Sequence, residues 1–282
     1  MGDAELLGIS IQKGRAQNST PESLERSQRV AKLGLAHFQP QVQQKIDGLS
    51  PAARQHWQKN EPGLKAMATD GKDYRKHITS HPFYPESVRK ELIAVCEMLE
   101  LSARFGRATA AFVEGKKEDI GTFSEQHQTN IVRMASMARA FATEYAKKKG
   151  IEFGSAWHTL IKDDNFVRFL ASDKPDLESE ARIRRNYGLS TDSGERLAHL
   201  ETAHSFVADQ ARQAGFSENS ISVASKSLGV RYKQPKSATV PSSIARAVDL
   251  AIRDQERQRK EREKQLREIA SKRAREGRRK GA

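Results

Sequence analysis

His77 and His81 lie four residues apart, a spacing that lets two imidazoles on one helix face share a metal ion. A zinc hydrolase needs a glutamate after the first histidine. Ile78 stands there and Pro82 follows the second histidine, so the pair reads as solvated or capping histidines. His56, His127, His158, His199 and His204 show no clustered metal spacing, and no two histidines are separated by a single residue. Asp163-Asp164 could supply paired carboxylates, but before Asn165-Phe166-Val167 they read as a helix N-cap. Gly71-Lys72 and Gly115-Lys116 lack the earlier glycine and the Lys-Ser or Lys-Thr close of a phosphate loop, and no G-x-S-x-G stretch occurs. Cys96 ends the apolar run from Leu92, where a thiol packs as a small hydrophobe. The expectation is no catalytic residue, no metal and no cofactor, with an enzymatic role disfavoured.

The cations do form a pattern. The chain carries 49 Lys and Arg against 36 Asp and Glu, a net +13. From Arg253 to Lys280 there are thirteen basic and six acidic residues, so one tenth of the chain holds more than half of the excess charge. Signs intermix from Arg259 to Lys264, as in a solvated helix with i,i+4 pairs. Positive charge then concentrates at Lys272, Arg273, Arg275, Arg278, Arg279 and Lys280, a cluster that attracts a phosphate backbone while reading little sequence. The tail has no Trp or Phe to insert at a membrane surface, and its apolar seam stops near Ile252, which argues against a coiled coil.

A second nucleic-acid signal runs from Phe216-Ser217 through Ile221 and Ala224 to Leu228-Gly229-Val230. It resembles the first helix and turn of a helix-turn-helix module, and Arg231 and Lys233 follow as candidate phosphate contacts. Pro235 would fall in the second turn of the recognition helix, so the other reading is an ordinary capped helix ending in glycine.

These positions need helices to hold them. Thr20-Pro21-Glu22 opens a helix to about Gly34, and Ser50-Pro51 opens a short one ending at the turn-like Asn60-Glu61-Pro62-Gly63. The region 38–84 therefore reads as several short helices. Val88, Leu92, Val95, Leu99 and Ala103 set a long amphipathic helix to Val113. A second, from about Phe123 to Lys149, carries Ile131, Met134, Ala138, Phe141 and Tyr145, and these two should form the centre of the fold. Leu197, Leu200, His204, Val207 and Ala211 resume the helical spacing before Gly215. Beyond Pro241 no glycine or proline occurs until Gly277, room for a helix of about 54 Å.

The expected fold is all-α, an irregular multi-helix bundle followed by a long charged C-terminal helix. Residues 1–19 are read as a flexible arm, 20–150 as an N-terminal helical domain, 151–234 as a second helical group, and 235–282 as linker and basic tail. No run of 18 apolar residues suggests a membrane span, Asp3 and Glu5 do not suit a secretory leader, and one cysteine fits a reducing cytoplasm. The plan of helical body and arginine-rich terminal helix resembles accessory proteins of bacterial plasmid mobilisation and substrates of type IV secretion. The resemblance implies a part in handling or accompanying DNA during transfer or plasmid maintenance, with Arg273, Arg275, Arg278, Arg279 and Lys280 on phosphate or a secretion receptor. The expected function is non-enzymatic DNA binding. The alternative is a protein-interaction or secreted effector protein whose C-terminal helix meets a protein partner.

Overall fold

Proline at a helix start costs no hydrogen bond, and two helices begin that way: α1 (Pro21–Asp47) and α2 (Pro51–Thr69). They are followed by α3 (Tyr74–Ser80), α4 (Glu86–Glu114), α5 (Glu125–Lys149), α6 (Phe153–Lys162) and α7 (Asp164–Ala171), then α8 (Leu177–Asn186), α9 (Ser193–Gln213) and α10 (Glu218–Leu228). The computed structural model describes residues 21–116, 122–172 and 176–231, with side chains from Arg29 onward, and among these it has no strand. The chain divides after Tyr232 into two compact units, and every described residue belongs to the first. The arm at 1–19 and the predicted helix beyond Pro241 lie outside the described residues. Among those described, no helix is long and apolar enough to cross a membrane.

Two sequence expectations need correction. The first helix does not end at Gly34 but runs on through Pro40 to Asp47, and α2 passes through Asn60-Glu61-Pro62-Gly63 to Thr69. The region 38–84 thus holds the end of α1, a 19-residue α2 and a short α3 rather than several short helices. An interior proline removes one helical hydrogen bond and crowds the preceding turn, at about 3 kcal/mol. Pro40 and Pro62 are both exposed, so neither ring takes up space in the core. Leu33 and Phe38 before Pro40, and Trp57, Leu64 and Ala68 around Pro62, are buried. At about 1.5–3 kcal/mol per fully buried large side chain, this packing, joined beyond Pro40 by the partly buried Val42 and Ile46, outweighs the break.

Gly34 is a contact point rather than a stop. A Cβ built there would lie 1.7 Å from the Ser102 carbonyl oxygen of α4, and one on Gly106 would lie 2.2 Å from the Val30 oxygen of α1. The two backbones touch at a crossing that only glycine permits. On one side of it Val88, Leu92 and Val95 of α4 join Trp57, Leu64 and Ile78 in one core. On the other, Phe105, Phe112 and Val113 join Leu33, Met134, Phe141 and Trp157 in a larger one.

Local capping chemistry fixes the remaining joints. Glu91 of α4 accepts from both the backbone N–H (2.7 Å) and the hydroxyl (2.8 Å) of Ser50, the N-cap of α2, and these two bonds hold its carboxyl below the usual range. Arg139 of α5 donates to the Val113 oxygen at 2.5 Å, serving a carbonyl in the last turn of α4 while its guanidinium packs on the Phe206 ring. As expected for the centre of the fold, α4 packs on α1, α2, α3, α5 and α9, and α5 packs on α4, α6, α7, α9 and α10.

Gly34→Ala should therefore cost about 2 kcal/mol or more, because the added methyl meets backbone and the helices must separate. Gly63→Ala, where a Cβ meets nothing within 4 Å, should instead gain about 0.5–1 kcal/mol. Urea denaturation of both variants checks the pair, and equal effects would refute the crossing.

Candidate functional site

Of the predicted phosphate contacts, Arg231 alone is described. It is exposed, and its backbone N–H reaches the Glu201 carboxylate at 3.4 Å. Lys233, Lys272, Arg273, Arg275, Arg278, Arg279 and Lys280 lie outside the described residues. The segment before Arg231 is a capped helix: Ser217 accepts from the Ser220 N–H, and Gly229 closes α10 at φ 67°. Ile221 and Ala224 are buried in the larger core, where α10 packs against α5. The stretch that would form a recognition helix, Pro235 included, lies outside the described residues.

A cationic surface on the body was not foreseen. Lys147, Lys148 and Lys149 close α5 and are exposed, a placement the helix dipole favours. The Lys148 ammonium lies 2.9 Å from where a Cβ on Gly188 would sit, just beyond the end of α8 and the exposed Arg185. Lys149 sits 6.0 Å from the Tyr145 ring centroid, and Tyr145 meets Tyr187 edge-on at 5.3 Å. The Tyr187 hydroxyl donates to Asp163 at 2.8 Å, and burial followed by this bond raises its pKa. Asp163 also caps α7 through the Asn165 N–H, the role its sequence context predicted.

The residues that could have done chemistry are committed elsewhere. His77 and His81 have ring centroids 5.3 Å apart, and the Phe83 N–H donates to His81 Nδ1 at 3.2 Å, which occupies that ring nitrogen. Among the described residues no group of three or more His, Cys, Asp or Glu could hold a metal ion. Cys96 is buried, and burial pushes its thiol up to about 12, far from a reactive thiolate. Ser136 and His204 meet at 3.1 Å, the contact of a nucleophile and its base. Ser136 instead donates its proton to the Val132 oxygen at 2.7 Å, so His204 Nδ1 donates to the serine. Both side chains are buried, out of reach of a substrate.

Among the described residues, two concavities combine large apolar side chains with charged groups. A cleft of about 390 Å³ between α1, α2 and α7 has Trp57, Leu99 and Val167 in its lining and Lys32, Lys65 and Arg168 among its polar groups. Lys32 forms an ion pair with Asp164 and holds that carboxyl below its ordinary value. The second, of about 280 Å³, lies between α5, α8, α9 and α10. Beside it Arg184, 2% exposed, donates Nη1 to Glu144 (2.8 Å) and to the Ser190 oxygen (2.8 Å), and Nε to Glu180 (3.1 Å). Arg196 shares Glu180 at 2.9 Å. Neither Arg184 nor Glu180 stands out in the sequence by residue type, and their i,i+4 spacing is the one signal that pairs them.

The chain matches no protein-family model, no curated protein and no solved structure.

Burial pushes His204 down from 6.5 to about 4, with Arg212 adding to the effect. Its contribution to stability is complete above pH 6.5. As pH falls from there toward 4 the unfolded chain takes a proton that the folded chain refuses, at ~1.4 kcal/mol per pH unit. His204→Gln should flatten the loss of stability between about pH 6.5 and pH 4.5 by nearly one proton. Urea denaturation across that range measures it, and an unchanged slope would contradict the assignment.

Proposed function

We propose that this protein binds nucleic acid through its C-terminal basic segment, with the helical body as the platform that carries it. The observation behind this reading is how charge divides between the two units. Lys233–Ala282 holds sixteen Lys or Arg and seven Asp or Glu, a net +9, leaving +4 on the 232 residues before it. A nearly balanced body beside a strongly cationic segment suits a polyanion, because each phosphate neutralised releases condensed counterions. The contacts fall to Lys272, Arg273, Arg275, Arg278, Arg279 and Lys280, with Arg231 and Lys233 where the body ends. Such contacts fix position on a backbone and read little sequence. The exposed lysines closing α5 and the Tyr145–Tyr187 pair supply a lesser cationic and aromatic surface on the body.

Fluorescence anisotropy with labelled single- and double-stranded DNA over a salt series tests the proposal, comparing the full chain with one ending at Ile252. Log affinity should fall linearly with log salt, by about 0.9 per phosphate contact on duplex, and truncation should weaken binding at least about tenfold. No binding at low salt, or full binding without the tail, would overturn it.

A further inference from the structure

The cavity between α5, α8, α9 and α10 has the composition of a small-ligand site. Its walls include Met137, Phe141, Leu200 and Leu228, and Leu177, 71% exposed, is also among its lining residues. Arg184, Arg196 and Lys226 supply positive charge, with Glu180 the one acid in the lining.

The two arginines are held by bonds that leave donors over. Glu144 is fixed by the Ser190 N–H at 2.9 Å and grips Arg184 Nη1, while the guanidinium lies 4.8 Å from the Phe141 ring centroid. Glu180 receives Arg184 Nε on one oxygen and Arg196 Nη1 on the other, so one carboxylate aligns both forks. No protein hydrogen bond reaches Arg184 Nη2 among the described residues, and this nitrogen is not sealed from solvent although its side chain is 98% buried. Arg196 Nη2 and Nε are likewise uncommitted. The two arginines and two glutamates balance, and Lys226 leaves the surround at +1, which matches a single negative charge. At the end of α10 the Ser225 and Lys226 carbonyls accept from the Val230 and Gly229 N–H groups, so they are occupied rather than facing an anion unserved.

We propose that this cavity binds a small organic carboxylate with an apolar body. The carboxylate receives the spare guanidinium donors of Arg184 and Arg196, and the apolar part lies against Met137, Phe141 and Leu200. Planar two-donor recognition of this kind is what arginine offers and lysine does not. The lining divides about evenly between apolar side chains and polar or charged ones, so it offers a partner to each end of such a ligand.

Isothermal titration of the full chain with octanoate, octan-1-ol and octylammonium tests this. Octanoate should bind, with the alcohol and the amine at least about tenfold weaker. Arg196→Gln should lose most of the affinity. Leu177→Asp, at an exposed position that leaves packing intact, should weaken octanoate by repulsion and decides the matter should Arg196→Gln fail to fold. The proposal is overturned by no octanoate heat up to about 10 mM, by equal binding of the alcohol, or by full affinity in Leu177→Asp.

Discussion

The contact between Gly34 and Gly106 is the constraint on which the body depends. A side chain on either residue would collide with the backbone of the facing helix, so α1 and α4 approach as closely as two helices can. That closeness lets α4 serve two cores along its 29 residues, the α2–α3 core with its first half and the larger core with its second. Interiors are packed like organic crystals, and a shift of one helix is felt by every neighbour. A spacer methyl at the crossing would therefore loosen both cores at once.

The larger core in turn sets the polar groups. α5 presents Phe141 and Glu144 one turn apart, and α8 brings Arg184 against both. Ser190, between α8 and α9, closes on the same carboxylate. Breaking a buried ion pair leaves an uncompensated charge, so this network holds α8 and α9 in register more than it adds net stability. The same register defines the cavity beside it. Where the chain leaves α10, Gly229 turns it at positive φ and Arg231 is the last described side chain, leading into the segment that carries most of the charge.

How much was legible follows from where each decision is made. Helix starts at Pro51, Asp164 and Glu218 could be read because capping is local: Ser50, Asp163 and Ser217 each hydrogen-bond an N–H within three residues. His204 was readable as part of an apolar stripe and is buried as such. Gly34 and Pro62 misled because local propensity opposes them, while contacts with residues far along the chain keep the helix intact. Arg184 was hidden for a similar reason. Its neighbours Arg182 and Arg185 are exposed, and nothing in the run of charges says which one turns inward. The approach of Lys148 to Gly188 joins residues forty apart and has no local signature at all.

If the crossing unites the two cores, they must unfold together, and each contains one tryptophan: Trp57 in the α2–α3 core and Trp157 in the larger one. In Trp57→Phe the fluorescence reports Trp157 alone, and in Trp157→Phe it reports Trp57 alone. For each variant, urea unfolding followed by fluorescence should coincide with unfolding followed by far-ultraviolet circular dichroism, as for a single cooperative transition. A Trp57 signal lost at lower urea than the helical signal would mean that the α2–α3 core melts independently, and the crossing would not be what holds the body together.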